Sequence, residues 1–220
     1  MKKLLIFGTG EIAELANYYF SNDSDYSVEA FCIDDEFKTT NEFCGKEVLS
    51  YEDIEKKINP KEFSFFAALS YSSMNRLRAN KYLDAKSKGY KIASYISSNA
   101  TVLNDYNIGE HAFILEDNTI QPFVEIASNV TIWSGNHIGH HGKIFNNCFI
   151  SSHVVISGKV TVHENCFLGV NATINHNINL SKFSFVASGS LINKNTEEYG
   201  VYIGSPARKR DDVKSINLKI

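Results

Sequence analysis

Between Tyr95 and Thr196 an aliphatic residue stands at every sixth position, from Ile96, Val102, Ile108, Ile114 and Ile120 through Ile138, Ile156 and Ile174 to Ile192, without a slip. Four residues after each comes a second set that is mostly small: Ala100, Ala112, Val124, Gly142, Cys148, Val154, Cys166, Ala172 and Ser190, with Tyr106 and Ile178 as bulky exceptions. Neither the helical period nor the strand period produces this spacing. A six-residue repeat predicts a parallel β-helix, with one short strand per hexad and a corner after each strand. Three hexads close one coil, so residues eighteen apart stack on neighbouring coils, roughly 4.8 Å apart as adjacent strands are. The aliphatic site then points inward and the small site fits the crowded corner. Ordinary antiparallel strands would vary in spacing with each turn and lose the register.

Residues 1 to 92 follow a different pattern. Lys3 to Phe7 reads as a strand, Gly8-Thr9-Gly10 as a tight turn, and Ile12, Leu15, Ala16, Tyr19 and Phe20 as the apolar face of a helix. A second strand, Ser27 to Ile33, ends at Asp34-Asp35. Ser50 with Asp53 is expected to cap a short helix carrying Ile54 and Ile58. A third strand, Phe63 to Leu69, leads through Ser70, Ser72 and Ser73 into a helix that stops near Gly89, and Lys91 to Ile96 is read as a last strand entering the first coil. Strands alternating with helices predict a parallel α/β sheet. The domain reading is therefore 1–92 for the α/β part, 93–196 for the coils and 197–220 for a C-terminal tail.

Composition narrows the function classes. The formal net charge of −3 gives no polyelectrolyte signal, which argues against nucleic acid as a partner. No apolar stretch reaches membrane-spanning length and the N-terminus lacks a signal-peptide pattern, so a cytoplasmic protein without a membrane partner is expected. Cys148 and Cys166 lie eighteen residues apart on the small site, where they are read as stacked apolar residues rather than a cross-link.

Two stretches carry candidate chemistry. Gly8-Thr9-Gly10-Glu11-Ile12-Ala13 is a GxGxxA sequence: glycines let backbone approach a phosphate, and the following helix offers free N–H groups and a positive dipole end. Asp34-Asp35 fall where such a fold reads a ribose or base. Residues 1–92 provide one mononucleotide-binding half, with nothing to hold the nicotinamide of NAD. The second stretch, Trp133 to Ile144, holds His137, His140 and His141. His140 follows the inward Ile138 by two residues, so its ring should leave the coil. Stacking at eighteen residues makes a column of His140, Gly158 and His176, an imidazole base beside a bare backbone amide.

Together the glycine turn, Asp34-Asp35, the hexads, Asn165 to Asn171 and Gly200 to Arg208 resemble the nucleotide-sugar N-acetyltransferases of bacterial glycan synthesis. That resemblance implies a Rossmann-like domain joined to a left-handed β-helix, homotrimers, and acetyl transfer from acetyl-CoA to a nucleotide-linked amino sugar, with no metal. It implies His140 as base and Gly158 as donor to the thioester carbonyl. Val170, Ser188, Gly189, Gly204, Pro206 and Arg208 would line the CoA groove with Gly158. Gly8, Thr9, Gly10, Asp34, Asp35 and Ser70 would hold the nucleotide sugar. Two positions depart from the family pattern. The acidic residue that usually follows the base is His141 here, so either another group orients His140 or His141 is itself the base, and a second histidine found in some members corresponds to Phe149. Sugar or sialic acid O-acetylation, a non-catalytic scaffold and a zinc carbonic anhydrase-like enzyme are the alternatives. For zinc, His140 and His176 would stand roughly 9.6 Å apart, two strand spacings, too far to share a metal within one chain. The identity of the nucleotide and of the sugar is left open.

Overall fold

The computed structural model describes residues 1–103 and 107–218. Its contacts divide the chain into two compact units, residues 1–70 with 78–95, and residues 71–77 with 96–220.

The first unit is a six-stranded sheet flanked by helices. In chain order its elements are β1 (Lys2–Phe7), α1 (Glu11–Asn22), β2 (Tyr26–Ile33), β3 (Glu42–Phe43), β4 (Lys46–Ser50), α2 (Ile54–Lys57), β5 (Phe63–Ala67), α3 (Arg76–Ser87) and β6 (Lys91–Ile92). The strand order is β3-β4-β2-β1-β5-β6, and every pair is parallel except the β3–β4 hairpin. Central β1 buries Leu4, Leu5 and Ile6 completely, the continuous apolar run of a strand covered on both faces. Against it α1 packs Ala13, Ala16 and Phe20.

Local details differ from the sequence reading. The hairpin was not anticipated; Cys44 and Gly45 turn it with φ of 50° and 71°, the pair of positive dihedrals that a two-residue hairpin loop requires. Ser50 does not cap α2: its hydroxyl donates to the Glu52 carboxylate at 3.0 Å, and Asp53 precedes α2 in a left-handed conformation without a side-chain cap. The strand expected over Lys91 to Ile96 is two short strands, Lys91–Ile92 and Tyr95–Ile96, and only the first joins this sheet.

The second unit is a three-faced parallel β-helix. Its first face stacks Phe113–Ile114, Thr131–Ile132, Phe149–Ile150, Phe167–Leu168 and Phe185–Val186. The second runs from Thr101–Val102 through His137–Ile138 and Val155–Ile156 to Leu191–Ile192. The third stacks Glu125–Ile126, Lys143–Ile144, Thr161–Val162 and Asn179–Leu180. Each residue pairs with the one eighteen positions on, as His137 with Val155 and Ile138 with Ile156, and the aliphatic and small sites together form one continuous core. Tyr106 lies outside the described residues. Cys148 and Cys166 are unbridged thiols, both fully buried, and desolvation pushes the Cys166 thiol well up.

Corners repeat as regularly as strands. From Ile108 to Val186 the third residue after each inward aliphatic is left-handed, as at Phe123, Asn129, His141, Asn147, Lys159, Asn165, Asn171, Asn177 and Phe183. Asparagine tolerates this region best among residues with a Cβ, which explains why it recurs there. At the end of the first face, Val201–Ile203 and Arg208–Arg210 form an antiparallel hairpin.

Residues 71–77 also belong to this unit. Phe149, Phe167 and Phe185 stack outside the first face with centroids 5.8 and 4.8 Å apart, and Met74 is buried against Phe149 and Phe167. Asn75 donates from Nδ2 to the Cys166 carbonyl at 3.2 Å. Ser73, Met74 and Asn75 are all left-handed, with φ of 53°, 53° and 65°. The helix expected to follow the serines therefore starts only at Arg76. No helix among the described residues is long and apolar enough to cross a membrane.

Candidate active site

The strand pair His137–Ile138 and Val155–Ile156 fixes what stacks at the next corner. Gly139 lies directly beneath the chain of the neighbouring coil: a Cβ there would come within 2.6 Å of the Gly158 nitrogen. That close approach sets His140 against Gly158. The exposed imidazole lies over the glycine so closely that a Cβ on Gly158 would meet Nε2 at 2.7 Å and Cε1 at 2.8 Å. Only glycine leaves room for the ring. The Gly158 carbonyl accepts from the Asn177 amide at 3.0 Å, whereas its own N–H donates to no backbone carbonyl among the described residues. The arrangement is thus an imidazole nitrogen beside an amide donor that the coil ladder does not use.

Neighbours hold this histidine at three points. Its amide donates to the Gln121 side-chain oxygen at 2.9 Å, its carbonyl accepts from Lys159 N–H at 2.9 Å, and its Nδ1 is 3.0 Å from Nδ1 of His141. His141 is left-handed with φ of 57°, and its ring lies 4.7 Å from that of Phe123, one coil below. The His176 ring centroid is 6.3 Å from that of His140, nearer than the separation of two strand spacings expected from sequence. The two imidazoles lean toward each other because Gly158 puts no side chain between them. Among the described residues no group of three or more His, Cys, Asp or Glu could hold a metal ion.

The residues expected at a CoA groove stand elsewhere on the coils. Val170, Ser188 and Gly189 occupy corners that follow the first face, whereas His140, Gly158 and His176 occupy corners that follow the second. Val170 and Ser188 are exposed. Gly169 sits so tightly that a Cβ there would come within 2.5 Å of the Ser188 nitrogen. Gly204, Pro206 and Arg208 form the exposed terminal hairpin, tied to the last coil by Gly204 N–H to Ser190 Oγ at 3.2 Å and Ala207 N–H to the Leu191 carbonyl at 2.8 Å. One chain therefore does not bring these residues onto the His140 corner.

In the α/β unit, Gly8 takes φ of 117° at the end of β1 and donates to the Cys32 carbonyl at 2.8 Å. Gly10 precedes α1 with open space where a side chain would be and no side-chain cap. Thr9 stands between them. Asp34 and Asp35 follow β2, and each is engaged. Asp34 pairs with Lys81 of α3, whose ammonium lies 4.5 Å from the Tyr51 ring centroid and 4.7 Å from that of Phe7. The Asp35 amide donates to Glu52 at 3.1 Å. The Ser70 carbonyl accepts from the buried Arg78 at 3.1 Å. Lys81 and Glu52 were missed by the sequence reading; Lys81 meets Asp34 only through the packing of α3 on the sheet.

No protein-family model matches this sequence, and no curated protein matches it. Solved structures do. The acetyltransferase domain of PglB from Neisseria gonorrhoeae FA1090 superposes with a TM-score of 0.85 at 19% identity, covering 96% of this chain and 100% of that one. PerB from Caulobacter crescentus, solved in complex with CoA and GDP-perosamine, gives 0.82 at 20% identity over 94% of this chain and 97% of its own. WeeI from Acinetobacter baumannii AYE gives 0.81 at 18% identity over 94% and 99%. At this identity the likeness establishes a shared fold over nearly the whole chain.

Proposed function

We propose that the protein is an acetyl-CoA-dependent N-acetyltransferase acting on the amino group of a nucleotide-linked amino sugar. The observation that carries this reading is the His140 imidazole lying over Gly158, whose amide the coil ladder leaves free. An amine attacking a thioester must lose a proton and needs a donor for the oxygen that gains charge, and these two groups supply both. His140 Nε2 takes the proton from the sugar amine as nitrogen attacks the acetyl carbonyl. The Gly158 N–H meets the developing oxyanion, and collapse of the tetrahedral intermediate expels CoA thiolate. Among proteins of the same fold, PerB was solved with CoA and GDP-perosamine and the PglB domain with acetyl coenzyme A, which supports these two substrate classes.

Further parts of the reading follow from where the other residues stand. The α/β unit is taken as a Rossmann-like nucleotide-sugar domain, with phosphate at the Gly8-Thr9-Gly10 turn and the N-terminus of α1. Asp34, Asp35 and Ser70 stand at the ends of β2 and β5, with Lys81 beside Asp34. The coils are taken as left-handed. Val170, Ser188, Gly189, Gly204, Pro206 and Arg208 are assigned to a CoA groove between neighbouring chains of a cytoplasmic homotrimer, since within one chain the first three follow the first face and the hairpin carrying the others extends that face, whereas His140 follows the second. The test is an acetyl-CoA assay reading free thiol with UDP-, dTDP- and GDP-linked amino sugars and their hydroxyl counterparts. Thiol release with an amino sugar and not with its hydroxyl counterpart is expected; release with the hydroxyl sugars alone would overturn the N-acetyl assignment.

A further inference from the structure

The His140–His141 contact assigns a role that neither residue type nor spacing reveals. A neutral imidazole carries one N–H and one lone pair, so two Nδ1 atoms 3.0 Å apart form a hydrogen bond in which one donates and the other accepts. If His141 donates, the N–H of His140 sits on Nε2 and that nitrogen cannot take a proton. If His140 donates, its Nε2 is bare. Nε2 is also the atom that lies against Gly158, whose amide is itself a donor without a backbone acceptor among the described residues. Of the two, only the tautomer with His140 Nδ1–H donating to His141 leaves Nε2 able to act as the base of the proposed reaction.

We infer that His141 is the positioning residue of the site, a neutral imidazole whose Nδ1 lone pair fixes His140 in the tautomer and orientation that leave Nε2 free to act as base. His141 is itself held by the corner. Its left-handed backbone aims the ring back along the coil, its amide donates to the Pro122 carbonyl at 3.3 Å, and the exposed Phe123 ring packs on its face. When His140 takes a proton, the Nδ1–H bond to His141 becomes charge-assisted and strengthens. The orienting group therefore stabilises the imidazolium without placing a permanent negative charge at the site.

The corner column supplies its own controls. Phe123 and Asn177 occupy the same column as His141, one coil below and two above, both left-handed, so phenylalanine and asparagine are each compatible with this backbone. His141→Phe removes the acceptor, and His141→Asn retains one in its side-chain oxygen. This inference rests on the acyl-transfer reading, while its spectroscopic arm reads the tautomer directly. In the kinetic arm, His141→Phe should lower kcat by roughly 10- to 100-fold, less than the 10² to 10⁴ of a base itself, with KM for acetyl-CoA unchanged, and His141→Asn should recover most of the loss. The second arm needs no substrate: nitrogen-15 spectra of the imidazoles should show His140 with Nδ1 protonated and Nε2 bare in the wild type and His141→Asn, and a shift toward the other tautomer in His141→Phe. A wild-type His140 protonated on Nε2, or full kcat in His141→Phe, would overturn the role. If the wild-type protein acetylated no acceptor, the acyl-transfer reading would fail and the nitrogen spectra would still decide the tautomer of His140.

Discussion

The imidazole of His140 occupies the space that a side chain on Gly158 would fill, with Nε2 only 2.7 Å from where that Cβ would stand. Gly139, on the chain beneath, is equally constrained, but by backbone: its Cβ would come within 2.6 Å of the Gly158 nitrogen and the Ser157 carbonyl carbon. The same substitution at these two glycines should therefore have opposite signatures. Gly158→Ala should displace a surface imidazole, lowering kcat by 10-fold or more while the melting temperature barely moves. Gly139→Ala should force two coils apart, at a cost of about 1 to 3 kcal/mol for overpacking, visible as a lower denaturation midpoint. Equal loss of stability in the two variants would mean that the ring does not lie over Gly158.

Segment 71–77 makes a prediction about the coils rather than the chemistry. Met74 is 1% exposed and fills the space against Phe149 and Phe167. Met74→Ala should lower stability by about 2 to 5 kcal/mol, the usual range for truncating a buried methionine, measured by urea denaturation. A change within 0.5 kcal/mol would show that the segment is not packed as described.

Thiol reactivity separates the four cysteines. Cys44 is exposed, whereas Cys32, Cys148 and Cys166 are buried, and desolvation pushes the Cys32 and Cys166 thiols well up. The thiolate is the reactive form. Iodoacetamide should therefore label Cys44 in the native protein and the other three only after denaturation, read by peptide mass spectrometry. Rapid native labelling of Cys166 would place it outside the coil core.

Nucleotide choice is tested by ligand-induced stabilisation. In the proposed reading the α/β unit holds the nucleotide at one glycine turn ahead of α1 and one acidic strand end, which would suit a nucleoside diphosphate and not the second half of a dinucleotide. A pyrimidine or guanine nucleoside diphosphate at 100 times its dissociation constant should add about 2.7 kcal/mol of stability. NAD and NADP at equal concentration should add none. Stabilisation by NAD or NADP alone would remove the proposed acceptor.

The coils were legible in the sequence because each repeats one contact. An inward aliphatic such as Ile138 meets the same environment as Ile156 and Ile174, so the pattern survives without knowledge of anything distant. The corners were legible from the hexads alone, one after each strand; the asparagines at 129, 147, 165, 171 and 177, which the sequence reading did not use, take left-handed backbones there. Other features depend on torsions or long-range packing that no local pattern encodes. The Nδ1 contact of His141 is set by ring rotation at a corner, and Lys81 reaches Asp34 only when α3 lies on the sheet. The helix read after the serines is present, but its start at Arg76 follows three left-handed residues, Ser73 to Asn75, of which Met74 and Asn75 are buried. The β3–β4 hairpin was missed because Cys44-Gly45 lacks the asparagine or aspartate that usually announces such a turn.

The central claim is that His140 removes the proton from an acceptor amine while Gly158 holds the thioester oxygen. Its most direct test is the steady-state rate of acetyl-CoA consumption in wild-type and His140→Ala protein, using the best amino-sugar nucleotide of the panel and with CoA affinity measured separately by calorimetry. The structure predicts a loss of roughly 10² to 10⁴ in kcat with CoA affinity nearly unchanged. Full turnover by His140→Ala would contradict it.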